Sequence, residues 1–363
     1  MRSLYLGLQL LFTAFIAARA APVSPNVVLP PLLSNRTQPA SIPVFPGDLN
    51  AEQDAINRNG ALSKLIPQKD GMSLVTLKST ITPPVSNTAN FSVVKATPLQ
   101  VTDLKFYAAL VATAYCRSVV PGGSWDCAHC KPTIPDAKII STFSTTEYDT
   151  NGFIIRSDEK KTIYLVFRGT NSIRSFIVDL EFFLMDYPPV KNGPKVHNGI
   201  IWCSAKYRVL TFDSGFYRSY EVAAPLLIPV MRDQLTKYPD YQIITAGHSL
   251  GAAQALLAAL DLYQRDTRFN SNNMRVMTAG CPRVGDPDFA YYVESTGISF
   301  TRIVNKRDVV PHLPAEFMGF LHPGVENWIY DDQSDVRICE ADIETDMCSN
   351  SVAPDTSLLD HLE

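Results

Sequence analysis

Short runs of apolar and β-branched residues recur through the chain from residue 162 onward, and segments of helical character separate some of them. The runs are TIYLVFRG at 162–169, YQIITAG at 241–247, MRVMTAG at 274–280 and FTRIVN at 300–305. Runs of this length predict buried strands, and the helical segment between the second and third runs predicts a βαβ connection. Strands that alternate with helices form a mostly parallel sheet with helices on its faces, so we predict an α/β fold.

The pattern is different upstream of these strands. Residues 21–95 are rich in Pro, Ser, Thr and Asn and have no helical or strand period, which is typical of a loosely ordered leader or propeptide. Residues 101–116 then have apolar positions at helical spacing, and Thr102-Asp103 predicts the helix N-cap. We therefore expect one folded domain over residues 96–363.

The first residues have the pattern of a targeting segment. Arg2 precedes an apolar run, and Ala18-Arg19-Ala20 fits a signal-peptidase site. This predicts a cleaved signal peptide over residues 1–20 and a secreted, extracellular protein. The alternative, a membrane anchor, needs about 20 apolar residues and no cleavage site. No later stretch is long and apolar enough to span a bilayer, so we expect no transmembrane segment.

Charge and cysteine content narrow the function classes. A net charge of −4 without a sustained basic run argues against a nucleic-acid partner. Secretion permits disulfides, and an odd number of cysteines leaves at least one thiol unpaired within the chain. The close spacing of Cys127 and Cys130 indicates a small disulfide loop rather than a zinc site. The seven cysteines are Cys116, Cys127, Cys130, Cys203, Cys281, Cys339 and Cys348.

The second predicted strand leads directly into the segment GHSLG at 247–251. An apolar, helix-forming segment follows at 252–265. Gly-x-Ser-x-Gly between a strand and a helix is the pattern of a nucleophile elbow, in which two glycines relieve crowding around a strained serine. The alternative is an ordinary turn serine. The free N–H groups of the helix that follows also favour an anion above Ser249. Ser249 is therefore the candidate nucleophile.

A nucleophilic serine needs a carboxylate that orients its base, and in this pattern the acid follows the serine in the chain. Asp308 is the best candidate, because it lies just past the carboxyl end of the strand at 300–305, where ligand sites of open α/β sheets gather. The alternative is a solvated ion pair of Asp308 with Lys306 or Arg307.

Three histidines follow Ser249 in the chain, namely His312, His322 and His361. His312 and His322 lie in predicted loops, and the alternative to a catalytic role is that they are surface residues. His312 would have to fold straight back on Asp308, four residues away. His361 comes from a separate segment that can bridge Asp308 and Ser249, although chain ends are poorly ordered unless something ties them down.

Several long motifs in the chain are similar to those of a known protein family. Residues 93–362 closely resemble the fungal class 3 triacylglycerol lipases, nearest to the secreted Rhizopus and Rhizomucor type. The motifs that carry the resemblance are IYLVFRGTNS, GHSLGAAQALL, PRVGDPDFAYYVESTG, DVVPH and FLHPGVENWI. The resemblance implies an α/β-hydrolase fold with a short helical lid, a signal-plus-propeptide layout, and hydrolysis without a metal or organic cofactor.

The resemblance also assigns roles to individual residues. It implies that Ser249 is the nucleophile, Asp308 the acid and His361 the base. The oxyanion hole falls on the backbone N–H and hydroxyl of Thr170 and on the backbone N–H of Leu250. These positions agree with the physical expectation, because such donors belong to the residue after the nucleophile and to a loop after an earlier strand.

The segment directly after Thr170 has an apolar stripe at helical spacing. A one-sided apolar helix usually packs on a core, but its position beside the oxyanion donor and the resemblance favour a lid over the pocket. The lid stripe is Ile173, Phe176, Ile177, Leu180 and Phe183.

Residues 199–214, which include Cys203, are additional to the family pattern. Their sixteen codons would be forty-eight nucleotides, in frame and the size of a small fungal intron. We hypothesise a retained intron, and sequencing of the transcript tests this. If the insertion is real, we expect it to reshape or block the pocket.

A second departure is at the C-terminus. The family continues past its Asp-His-Leu segment to a final cysteine that pairs with the position of Cys116, whereas this sequence is written to Glu363. The resemblance therefore implies an unpaired Cys116, and it leaves Cys127 with Cys130 and Cys339 with Cys348 as the expected disulfides.

The leading hypothesis is a secreted, monomeric serine ester hydrolase that acts on triacylglycerols at an oil-water interface. A phospholipase A1 and a feruloyl esterase are alternatives on the same fold, since pocket and lid decide the substrate. A non-catalytic lipid-surface binder is the alternative from another class. A serine peptidase ranks last, because no feature indicates a peptide-binding strand.

Overall fold

The computed structural model of the chain describes residues 92–170 except 121 and 147, and residues 215–362 except 317–319 and 342. Between these two parts it describes the backbone of four short strands only. The predicted signal peptide at 1–20 and nearly all of the leader at 21–95 lie outside the described residues.

Helices and strands are numbered along the described chain. The strands are β1 (Val93–Lys95), β2 (Lys138–Ser144), β3 (Asn151–Ser157), β4 (Thr162–Phe167), β5 (Leu184–Asp186), β6 (Lys195–His197), β7 (Ile201–Trp202), β8 (Thr211–Phe212), β9 (Gln242–His248), β10 (Met274–Ala279), β11 (Ser299–Asn305), β12 (Val325–Ile329) and β13 (Val336–Cys339). The helices are α1 (Pro98–Thr113), α2 (Cys130–Thr133), α3 (Phe216–Lys237), α4 (Leu250–Arg265), α5 (Pro287–Ser295) and α6 (Leu359–Leu362), and short 3₁₀ turns cover Val310–His312 and Ser349–Val352.

A nine-stranded sheet has the order β1-β13-β12-β11-β10-β9-β4-β3-β2. Its central strands β4, β9, β10, β11 and β12 are parallel, and antiparallel pairs extend both sides. The predicted α/β architecture with a mostly parallel sheet is confirmed. Because β1 pairs with β13, the sheet includes Val93–Lys95, just upstream of the expected boundary at residue 96. Two small antiparallel pairs, β5–β6 and β7–β8, are separate from this sheet.

The unbroken apolar run of β4 is explained by burial on both faces. Ile163, Leu165 and Phe167 belong to the core cluster that includes α3 and α4. Tyr164 and Val166 belong to the cluster on the other face, which includes α1. A strand with helices on both sides has no solvent face, so it has no polar alternation.

Helix α1 begins one turn earlier than predicted. Its N-cap is Thr97, whose hydroxyl accepts from the Gln100 N–H at 3.3 Å while the Gln100 side chain accepts from the Thr97 N–H at 2.9 Å. The prediction of an N-cap at Thr102-Asp103 is wrong, because this reciprocal capping box, with Pro98 at the first helical position, starts the helix first.

Among the described residues, no helix combines the length and the apolar character needed to cross a bilayer.

Candidate active site

Ser249 lies at a sharp turn between β9 and α4. Its φ of 59° and ψ of −130° are a strained combination for a residue with a side chain. The turn is close-packed, since a Cβ on Gly251 would lie 2.6 Å from the carbonyl oxygen of Phe167. The Ser249 N–H donates to the carbonyl oxygen of Ala279 at 3.0 Å. The elbow therefore holds Ser249 at the carboxyl edge of the sheet, with the first turn of α4 behind it.

Asp308 and His361 form a buried pair at the same edge of the sheet. The Nδ1 atom of His361 lies 2.9 Å from Oδ1 and 2.8 Å from Oδ2 of Asp308. The N–H of Val310 donates to Oδ1 at 2.8 Å and orients the carboxylate. A carboxylate accepts hydrogen bonds, so it favours the tautomer with the proton on Nδ1 and leaves the lone pair on Nε2. Asp308 is therefore not the solvated partner of Lys306 or Arg307.

The two atoms that would exchange a proton during nucleophilic attack are Oγ of Ser249 and Nε2 of His361. Both are buried, and neither has a hydrogen-bond partner among the described residues. Buried polar atoms are rarely left unpaired, and the exceptions concentrate where function requires them. Catalytic hydrogen bonds are often loose without substrate, so this arrangement fits a serine and a base that engage when an ester binds.

The segment that carries His361 is hydrogen-bonded to the loop after β11, which contains Asp308. The Ser357 N–H donates to Arg307 at 2.6 Å and the Val309 N–H to Ser357 at 3.2 Å, both to carbonyl oxygens. The side chain of Asn305 donates to the carbonyl oxygen of Asp360 at 2.9 Å. Short helix α6 follows these contacts and buries His361. Hydrogen bonds to the loop after β11 thus order a segment that sequence reasoning treats as an exposed end.

His312 and His322 are buried, and each side chain hydrogen-bonds to a backbone carbonyl oxygen of the loop that contains Asp308. The Nδ1 atom of His312 lies 2.7 Å from the carbonyl oxygen of Asp308, and Nε2 of His322 lies 2.8 Å from that of Pro311. Burial, followed by the charge of Arg302, lowers the pKa of His322 well below its usual value, so the ring is neutral. The alternative that these histidines are surface residues is wrong, because the loop folds over them.

A buried ion pair that the sequence does not predict lies beneath the same loop. Arg283 pairs with both carboxylate oxygens of Glu344, at 2.8 and 2.6 Å, and its third nitrogen donates to the carbonyl oxygen of Pro314 at 2.7 Å. Its backbone N–H also donates to the carbonyl oxygen of Leu313 at 2.8 Å. Such a pair has no local sequence signal, because its partners are far apart in the chain.

Thr170 and Leu250, the residues expected to form the oxyanion hole, border the elbow. Leu250 is the first residue of α4, so its N–H belongs to the group that a helix leaves unpaired at its N-terminus. Thr170 lies just after β4. A Cβ on its neighbour Gly169 would lie 2.9 Å from Cβ of Ser249, so this segment passes close to Ser249.

The structure contains both disulfides expected from the sequence, Cys127–Cys130 and Cys339–Cys348. Cys116 and Cys281 are outside disulfides, and burial raises the pKa of the Cys281 thiol to about 12. Cys203 lies outside the described residues.

Several further expectations fall outside the described residues. They concern the lid stripe at Ile173, Phe176, Ile177, Leu180 and Phe183, and most of the additional segment at 199–214, of which only the backbone pair β7–β8 is described.

A strained serine on a strand-turn-helix elbow, beside a buried Asp–His pair at the carboxyl edge of a parallel sheet, defines an α/β-hydrolase. The chain belongs to the class 3 lipase family. The family profile described as Lipase (class 3) matches residues 164–318. The predictions of an α/β-hydrolase fold and of a lipase are confirmed.

The relatives are fungal lipases. A lipase of Rhizopus niveus is 48% identical, over 94% of this chain and 88% of that protein. The solved Rhizomucor miehei lipase propeptide complex is 46% identical with a TM-score of 0.68, over 85% of this chain and 91% of that one. A solved triacylglycerol lipase whose catalytic centre is a serine protease triad is 48% identical with a TM-score of 0.68, over 74% of this chain and 96% of that one. The resemblance to the Rhizopus and Rhizomucor type is confirmed.

Proposed function

We propose that this protein is a secreted triacylglycerol lipase with Ser249 as nucleophile, His361 as base and Asp308 as the acid that orients the base. The observation that carries the proposal is the buried Asp308–His361 pair, which engages Nδ1 and leaves Nε2 for the serine proton. The similarity to a triacylglycerol lipase with a serine protease triad supports the same assignment.

The reaction follows from this geometry. Oγ of Ser249 attacks the ester carbonyl carbon while Nε2 of His361 takes the hydroxyl proton. Asp308 stabilises the imidazolium that forms. When the tetrahedral intermediate collapses, the imidazolium returns the proton to the leaving glycerol oxygen. A water molecule, activated by the same Nε2, then hydrolyses the acyl-enzyme and releases the fatty acid.

The oxyanion of the intermediate would be held by the backbone N–H of Leu250 and by the backbone N–H and hydroxyl of Thr170. The position of Leu250 at the N-terminus of α4 adds the favourable end of the helix dipole. Loss of one such donor costs on the order of 3 kcal/mol of transition-state stabilisation.

Secretion, propeptide and lid complete the proposal. The N-terminal segment at 1–20 has the signal-peptide pattern, and a propeptide role for 21–95 is supported by the solved propeptide complex of the Rhizomucor miehei lipase. The apolar stripe at Ile173, Phe176, Ile177 and Leu180 would cover the pocket in water and turn toward lipid at an oil surface. We expect the enzyme to act as a monomer.

The test compares the parent protein with Ser249→Ala and with Ser271→Ala, a matched change at an exposed serine. On emulsified triolein we expect parent and Ser271→Ala to be alike, and Ser249→Ala to lose at least about 10⁴-fold in kcat. Equal rates for Ser249→Ala and the parent would end the enzyme proposal and leave a lipid-surface binder. Faster turnover of phosphatidylcholine vesicles or of a soluble feruloyl ester would replace the triacylglycerol substrate with a phospholipid or a feruloyl ester.

A further inference from the structure

His248, the residue before Ser249 in the elbow, is a half-buried histidine that the mechanism above does not use. Its Nδ1 atom lies 2.7 Å from the hydroxyl of Tyr115, and its Nε2 atom lies 3.1 Å from the backbone carbonyl oxygen of His361. The rings of His248 and His361 are stacked with 4.5 Å between their centroids. His248 therefore contacts both the ring and the backbone of the proposed base.

The partners of His248 define its tautomer. A carbonyl oxygen can only accept, so the contact with His361 places the proton of the imidazole on Nε2. Nδ1 of the neutral ring is then an acceptor, and the Tyr115 hydroxyl donates to it. The oxygen of that hydroxyl accepts in turn from the N–H of Gly169 at 3.1 Å. The result is a directed chain of hydrogen bonds from Gly169 through Tyr115 and His248 to His361.

The ring of His248 is suited to remain neutral. Burial, followed by the neighbouring His361, lowers the pKa of His248 to about 3. His361 becomes cationic during catalysis, so a second cation stacked on its face would oppose that step. A neutral, polarisable ring does not.

The chain of hydrogen bonds joins the three segments that the chemistry requires. Gly169 is adjacent to Thr170, the proposed oxyanion donor, and His248 is adjacent to Ser249. At the far end, His361 receives a hydrogen bond at its own carbonyl, close to the C-terminal end of the described chain. A donor fixed in the sheet thus anchors the backbone of a residue whose ring must be placed within about 0.5 Å.

We propose that Tyr115 and His248 are positioning residues of the hydrolase. Through a neutral histidine with its proton on Nε2, they fix the segment at 169–170, the elbow at Ser249 and the base His361 in place relative to one another. The proposal rests on the function proposed above. It assigns to these two residues a role in turnover beyond packing, in which they act through His361 rather than on the ester itself.

The test is Tyr115→Phe, which keeps the ring and removes the hydroxyl. We expect kcat on a soluble p-nitrophenyl ester to fall about 10- to 100-fold, with KM changed less than about twofold and the acid limb of the kcat profile shifted. The matched control is Tyr220→Phe, which removes a buried hydroxyl bonded to Asp261 at 2.6 Å in the α3–α4 interface. We expect this control to lower stability and to leave kcat and the pH profile of the folded enzyme unchanged. Active-site titration with a phosphonate gives the concentration of active enzyme, by which each rate is divided.

Two results would overturn the proposal. One is a Tyr115→Phe enzyme whose kcat and pH profile match those of the parent and of Tyr220→Phe. The other is a His248 ring that is cationic or has its proton on Nδ1. The measurement is ¹⁵N spectroscopy of histidine-labelled parent protein between about pH 5 and pH 8, and we expect a neutral ring with the proton on Nε2. The spectra remain decisive if a variant does not fold. Inactive Ser249→Ala together with fully active Tyr115→Phe would leave the proposed function intact and refute the positioning role alone.

Discussion

Gly280 is the position at which a single methyl group would most directly disturb the Asp308–His361 pair. It follows β10 with φ of +56°, and its N–H donates to the carbonyl oxygen of Ile303 at 2.9 Å. A Cβ there would lie 2.7 Å from Cε1 and 2.8 Å from Nδ1 of His361, and 2.9 Å from Oδ2 of Asp308. Non-bonded carbon atoms approach to about 3.5 Å, so Gly280→Ala must displace the imidazole or the carboxylate by about 0.8 Å.

Two separable effects follow from Gly280→Ala. An alanine in the left-handed region costs roughly 1–2 kcal/mol of stability. A displacement approaching 1 Å in a catalytic group costs about 10²-fold in rate. The first effect lowers the free energy of unfolding, whereas the second lowers kcat of protein that is still folded.

Gly297→Ala is the matched control, because it separates these effects. Gly297 has φ of +66°, and a Cβ there would meet its nearest atom, Cβ of Ser271, at 3.4 Å. It therefore has comparable backbone strain and no contact with Asp308 or His361. Urea unfolding should show similar losses for both variants, and kcat on a p-nitrophenyl ester, normalised by active-site titration, should fall only for Gly280→Ala. A folded Gly280→Ala enzyme with kcat within about threefold of Gly297→Ala would show that the added methyl group does not displace Asp308 or His361.

Two further predictions concern stability. Arg283→Leu leaves the buried Glu344 carboxylate without its cation, and we expect it to lower the free energy of unfolding in urea by about 3–5 kcal/mol. The double variant with Glu344→Leu should recover much of that loss. Equal losses in the single and double variants would contradict this prediction. Acidification from pH 6.5 toward 3 should lower the free energy of unfolding, because the unfolded chain binds protons at His248 and His322 while burial keeps both rings neutral in the folded chain. The expected slope is about 1.4 kcal/mol per pH unit for each histidine in its window, and an unfolding series that is no shallower for His322→Gln than for the parent would count against it.

Local patterns were sufficient for the parallel strands and for the elbow. The apolar runs ending at Phe167, His248, Ala279 and Asn305 predict buried strands, because a strand covered on both faces leaves no polar positions. The glycines around Ser249 indicate the turn, because close packing on neighbouring backbone excludes side chains. The same local reasoning misplaced the start of α1, where Thr97 and Gln100 form a capping box one turn earlier than the apolar period indicates.

The amino-acid sequence is sufficient to predict the segments and the chain order of the candidate site residues, since strand period, turn glycines and helix caps depend on neighbours along the chain. The contacts of the histidines, in contrast, depend on how distant segments pack together. His312 follows Asp308 by four residues and bonds its carbonyl oxygen, whereas the carboxylate contacts His361, 53 residues away. Likewise, the hydroxyl group that donates to His248 comes from Tyr115, 133 residues away, and Arg283 pairs with Glu344, 61 residues away. Hydrogen bonds between buried groups are set by how loops pack at the edge of the sheet, and that packing has no signature in the residues adjacent to each partner.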